Sequence, residues 1–115
     1  MDPNRAPTEE WHGQIVVVRA AGAIDMVTAP PLLTAIRAAH AQRPKGVIVD
    51  LTEVEFLSSA GMQTLVTAHQ EIVEQARFAV VADGPGTSRP LKIMGLTDFI
   101  ELFTTRDAAL DTLSE

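Results

Sequence analysis

The chain has 115 residues, 46% apolar and 21% charged, the profile of one globular domain with a single core. It contains no cysteine, which excludes disulfides, thiol nucleophiles and thiolate metal sites, and its net charge of −6 argues against nucleic acid, whose partners are basic. No apolar run approaches the roughly 18 residues of a membrane span. The start, from Met1 to Glu10, has prolines and acids where a signal peptide has basic and apolar regions, so a cytoplasmic location is expected.

Residues 1–8 are polar, hold Pro3 and Pro7, and read as a flexible lead before a domain over 9–115. Gly13 and Gly22 bracket a β run centred on Ile15–Val18. Ala29-Pro30-Pro31 opens a helix, since proline is tolerated in the first turn. Leu32, Leu33, Ile36, Ala39 and His40 then fall on one face, and Gln42-Arg43-Pro44 ends the pattern. The short β-branched run Val47–Leu51 predicts a strand buried on both faces, in the middle of a sheet. Val54, Phe56 and Leu57 are expected to point back to the core.

A helix follows from about Ser59 to Gln75, with Met62, Leu65, Val66, Ile72 and Val73 as its inner face. Phe78–Ala82 is a further short buried strand, and Asp83-Gly84-Pro85-Gly86 is a loop by composition. Pro90–Met94 suits a short helix closed by Gly95, Phe99–Thr104 a last strand, and Arg106–Leu113 a last helix. Strands alternating with about four helices predict an α/β domain with a mostly parallel sheet. An antiparallel pairing of the first strands would make that sheet mixed.

The most informative stretch is Leu57-Ser58-Ser59-Ala60-Gly61-Met62. Two serines stand where a helix begins, a place with unpartnered backbone N–H groups and a positive dipole end. One serine suffices as N-cap. If Ser58 caps, Ser59 is the first helical residue with a free hydroxyl; if Ser59 caps, its hydroxyl faces the N–H groups. A phosphate on such a serine sits in a favourable field. Gly61 costs helix propensity, and either a partner's close approach or tight internal packing accounts for it.

Catalysis finds little support. The G-x-S-x-G elbow is absent around Ser59, and His12, His40 and His69 have neither an orienting acid nor metal-ligand spacing. The loop Asp83–Ser88 lacks the G-K-[ST] ending of a P-loop and reads as a plain turn. Asp25, ahead of a helix start, and Asp50, placed at a strand's C-terminal end, read as local caps. Both lie at the end of the sheet where α/β folds place their sites. No enzyme, cofactor or metal is expected.

Taken together, these residues resemble the STAS domain family of bacterial anti-sigma factor antagonists. The resemblance rests on Gly22-Ala23-Ile24-Asp25, on Ala29-Pro30-Pro31-Leu32, on the segment Val47–Met62, and on Gly95-Leu96 and Ala109-Leu110, covering roughly residues 10–113. It implies a non-catalytic four-helix, mixed-sheet domain whose signature serine, matched by Ser59, is phosphorylated by an anti-sigma factor that is also a serine kinase. The unphosphorylated form would bind that kinase and free the sigma factor. The contact set implied is Asp25, Thr28, Ser58, Ser59, Ala60, Gly61 and Met62. One position departs from the family pattern: Ser58 stands where the family usually has Asp, which removes a like charge beside the phosphate and offers a second acceptor. The alternative is a STAS interaction module that works without phosphate, as a subunit of a lipid-transport ABC complex or as a signalling scaffold. A monomer without direct nucleic-acid or membrane contact is expected.

Overall fold

The computed structural model describes residues 6–114. Five strands, β1 (Thr8–His12), β2 (Ile15–Ile24), β3 (Gly46–Leu57), β4 (Arg77–Val81) and β5 (Glu101–Phe103), form one sheet in the order β1-β2-β3-β4-β5. Four α-helices accompany them: α1 (Ala29–His40), α2 (Ser59–Ile72), α3 (Ser88–Ile93) and α4 (Arg106–Leu113), with a 3-10 turn at Leu96–Asp98. β1 and β2 are antiparallel and every other pair is parallel, so the sheet is mixed, as the sequence predicts.

Helices cover both faces, which is why the middle strands are apolar on both sides. Val16, Val18, Val47, Val49 and Val80 belong to the larger core with Leu32, Ile36, Leu65 and Ile72 of α1 and α2. Val17, Ile48, Ala79 and Val81 form the smaller core with Ala109 and Leu113 of α4. All of the valines and isoleucines among these are essentially without solvent exposure.

Several boundaries depart from the sequence reading. Of the expected lead, residues 1–5 lie outside the described residues, and Thr8 already opens β1. That strand is polar and mostly exposed, an edge with little apolar alternation to announce it. It is joined to β2 by Gly13-Gln14, where Gly13 takes φ +61°, the conformation that the first residue of a type II′ hairpin turn needs. Gly22 does not end β2. It sits inside the strand at φ +81°, between register shifts in the pairing with β3, so it is a bulge.

The Val47–Leu51 strand is longer than its apolar run, continuing to Leu57. Val54 and Leu57 do face the core, but Phe56 is 54% exposed, because β3 there pairs only with β2 and its second face is bare. Asp50 is consequently mid-strand and not at a strand end. It is buried and accepts from the Thr52 N–H (2.9 Å) and hydroxyl (2.5 Å).

Helix α2 stops at Ile72, three residues before the expected Gln75. Its buried line is Gly61, Thr64, Leu65, Ala68 and Ile72. Met62 and Val66 pack partly against the core, and Val73, beyond the last turn, is 49% exposed. β4 begins one residue earlier than expected, and Ala82, just after it, donates its N–H to the Phe103 carbonyl. α3 begins at Ser88, with Gly95 (φ +77°) after its end. Phe99 lies before β5, which keeps only three of the six residues expected. Arg106–Leu113 is helical as predicted.

Candidate functional site

Strands β2 and β3 outrun their neighbours and end side by side, Ile24 paired with Leu57. The chain leaves each strand through a loop, and the two loops are tied together: the Ser58 N–H donates to the Ile24 carbonyl at 2.9 Å. A third loop is added when the Leu57 N–H donates to the Gly86 carbonyl at 3.0 Å. Gly86 lies so close to β3 that a Cβ there would stand 2.0 Å from the Glu55 carbonyl oxygen. That loop is closed internally by Ser88, whose buried hydroxyl accepts from the Gly84 N–H and donates to the Gly84 carbonyl. A reading by composition as a plain turn had no signal for this bracing role.

The two serines divide their tasks. Ser58 is extended (φ −76°, ψ 174°), its carbonyl accepts the first helical bond from Met62, and its Oγ accepts from the Gly61 N–H at 3.2 Å. It is therefore the N-cap of α2. Ser59 is the first helical residue and is exposed, with its hydroxyl in no hydrogen bond among the described residues. The first turn of α2 carries no acid, so the positive end of this 14-residue helix is not offset by charge from its own side chains.

Asp25 and Thr28 interlock. One Asp25 oxygen accepts from the N–H groups of Val27 (2.9 Å) and Thr28 (3.0 Å), while the Thr28 hydroxyl accepts from the Asp25 N–H and donates to the Ala23 carbonyl, both at 2.8 Å. The N–H of Thr28, then that of Val27, then the Thr28 hydroxyl hold the Asp25 carboxyl below the ordinary aspartate range. The turn so fixed presents Met26 and Val27 to solvent at 81% and 78% exposure. Phe56, at the end of β3, is a third exposed apolar side chain on this end.

Of the seven residues named as contacts, Asp25, Thr28, Ser58, Ser59, Ala60 and Met62 are exposed or half-buried. Gly61 is buried and faces inward: a Cβ there would meet Leu57 Cδ1 at 2.5 Å and Ile24 Cγ2 at 2.9 Å. Its missing side chain answers to packing within the fold, so an incoming partner is not needed to explain it. Met26 and Val27 drew no reading from the sequence, and Phe56 was expected in the core.

Among the described residues no histidine is hydrogen-bonded to Ser58 or Ser59. His12 pairs with Glu10 at 2.8 Å, and His69 stands edge-on to the rings of Phe78 and Phe99. Among the described residues no three His, Asp or Glu side chains are gathered as metal ligands, and no helix is long and apolar enough to cross a membrane.

The family model of the STAS domain matches residues 6–109. The chain belongs to the STAS domain family. STAS relatives include the anti-sigma-F factor antagonist RsfB of Mycobacterium tuberculosis, 38% identical over 99 residues that cover 86% of this chain and 81% of that protein. The crystal structure of an anti-sigma factor antagonist from Mycobacterium paratuberculosis superposes with a TM-score of 0.91 at 39% identity, covering 95% of this chain and 93% of the other. The Bacillus cell fate determinant SpoIIAA in its phosphorylated form superposes at 0.69 with 20% identity, over 93% of this chain and 98% of the other. At that identity the likeness speaks for the STAS fold alone.

Proposed function

We propose that this STAS domain is an anti-sigma factor antagonist: unphosphorylated, it binds an anti-sigma factor with serine kinase activity, and phosphorylation of Ser59 releases it. The observation that carries the reading is the division of labour at the start of α2. Ser58 is spent on the cap, which leaves Ser59 as an exposed hydroxyl at a helix end that favours negative charge. The relatives named as antagonists at 38% and 39% identity support the partner class.

The proposed contact surface is the end where β2 and β3 finish. Ser59, Ala60 and Met62 lie on α2, Asp25 and Thr28 hold the neighbouring turn, and Met26, Val27 and Phe56 supply apolar contact. Phosphorylation adds a charge of about −1.5 to −2 in the middle of that surface. A partner face shaped for a neutral hydroxyl loses affinity, while the helix beneath tolerates the dianion. Ser58, whose hydroxyl already accepts from the Gly61 N–H, is the poorer acceptor of the two. The function is binding, exercised in the cytoplasm without cofactor, metal, nucleic acid or membrane, and the domain acts as a monomer.

The presence of Ser58 where the family usually has Asp favours a second reading, a fixed STAS adaptor that is never phosphorylated. One experiment separates the two. Wild type, Ser59→Ala and Ser59→Glu are used as bait in cell extract, and bound proteins and the peptide spanning Ser58 and Ser59 are read by mass spectrometry. A kinase-type anti-sigma factor held by wild type and Ser59→Ala but lost with Ser59→Glu is the expected result. Equal capture of another protein by all three, with no phosphopeptide, overturns the switch.

A further inference from the structure

Among the described residues Asp50 is the one buried acid, and binding at the Ser59 end leaves it unused. It lies on the same side of β3 as Ile48, the side that α4 covers. Its neighbours account for half of its carboxyl. Oδ1 accepts from the Thr52 N–H and hydroxyl, whereas Oδ2 makes no hydrogen bond among the described residues and stands 3.8 Å from Arg19 Nε. No fully buried side-chain polar atom among those residues lacks a hydrogen-bond partner, so Oδ2 must open onto space beside it. Asp50 lines a cavity of about 290 Å³ there, with Arg19 and Thr52 from the strands and Thr104, Thr105, Arg106 and Asp107 from the turn into α4.

A plain explanation is that Arg19 neutralises Asp50 as part of the fold. That guanidinium, however, is divided at long range among three carboxylates, Glu53 at 3.4 Å, Glu10 at 3.6 Å and Asp50 at 3.8 Å. A buried carboxylate ordinarily has close donors on both oxygens, and here one oxygen has none. Arg106 is similarly underused: among the described residues it makes a single hydrogen bond, to Glu10 at 3.3 Å, which leaves most of its donors unspent.

The lining holds two arginines and two aspartates, with Glu10 and Glu53 beside it on the arginines. A bare anion or a bare cation would meet its own charge there, while a molecule carrying both signs finds a partner for each end. No aromatic ring is in the lining to stack on a base, and the volume is at the small end of ligand sites.

We infer that this notch between β2, β3 and the start of α4 binds a small zwitterion of the amino-acid class, on the sheet face opposite α2 and independent of Ser59. Its ammonium group supplies the donor that Asp50 Oδ2 lacks, and its carboxylate takes the fork of Arg106. The threonine hydroxyls, each both donor and acceptor, serve either end.

The test is amide chemical-shift titration of the full chain with L-serine, and with acetate and ethanolamine, which each carry one of its charged ends, at constant pH and ionic strength. Saturable shifts at residues 50, 52, 105 and 106 with L-serine are expected, with affinity at least tenfold above that for either single-ended probe. Asp50→Asn keeps an acceptor for Thr52 and removes the charge, and should lower the affinity for L-serine at least tenfold. Arg106→Gln should do the same, and because that side chain is 34% exposed the variant keeps the test decisive even where Asp50→Asn does not fold. No saturation with L-serine, equal affinity for acetate or ethanolamine, or full affinity in Arg106→Gln overturns the site.

Discussion

Replacing Gly61 by alanine separates two reasons for a glycine in the first turn of α2. In an open helix the change gains up to about 1 kcal/mol of propensity. Here the new Cβ would stand 2.5 Å from Leu57 Cδ1, 2.9 Å from Ile24 Cγ2 and 3.3 Å from Ile24 Cβ. Leu57 and Ile24 are 2% and 3% exposed, so neither has free space to move into, and the β-branched Ile24 has little rotamer choice. Overpacking of this kind costs about 1–3 kcal/mol. The balance is a net loss of about 1 kcal/mol, or a fall in Tm of about 4 °C for a domain of this size. Urea denaturation with the slope unchanged from wild type is the assay. An alanine variant as stable as wild type would show slack in this turn and refute the packing argument, leaving partner approach as the reason for the glycine.

Ser58→Ala removes the cap of α2 and should cost about 1 kcal/mol in the same assay, while Ser58→Asp keeps the cap and should be at least as stable as wild type. Gly86→Ala should be the most damaging of these changes, about 3 kcal/mol, because its Cβ meets the backbone carbonyl of Glu55 and not a side chain that can rotate. Ser59→Ala should leave denaturation unchanged within about 0.5 kcal/mol, since the side chain is exposed and has no hydrogen bond among the described residues to lose, yet abolish phosphate incorporation by the proposed partner kinase. The carboxyl of Asp25 should titrate below the reference value of about 3.9 when followed by carbon NMR. A depressed folded pKa stabilises fully above the unfolded value and is lost as pH falls through the folded one. Asp25→Asn should therefore flatten the acid limb of the stability curve below about pH 4, and an unchanged limb would count against the interlock.

The elements most legible in the sequence were those whose burial is uniform. Ile15–Val18 and Val47–Val49 are apolar throughout because helices cover both sides of them, and α1 and α4 show a clear apolar face. What was not legible depends on where one strand outruns another. Nothing in Thr52-Glu53-Val54-Glu55-Phe56 announces that β3 continues, since its neighbour β4 has already ended and half of the ribbon faces solvent. The same geometry turned Phe56 outward and made Asp50 a mid-strand residue. At the candidate site, the serine pair was readable as cap plus free hydroxyl, but which serine did which depended on one backbone conformation, the extended ψ of Ser58. The Asp25–Thr28 lock was only partly readable, and Gly86 as a brace was invisible, because its partner is a backbone atom about 30 residues earlier in the chain.

The strand order β1-β2-β3-β4-β5 repeats the order of the chain, so each new strand pairs with the one made just before it. A sheet laid down this way can grow along one edge as the polypeptide leaves the ribosome, without waiting for distant segments. The turn at Asp25 and the start of α2 exist in the nascent chain before β4 has been translated. Growth then stops on β5, three residues long, which offers little template for another chain.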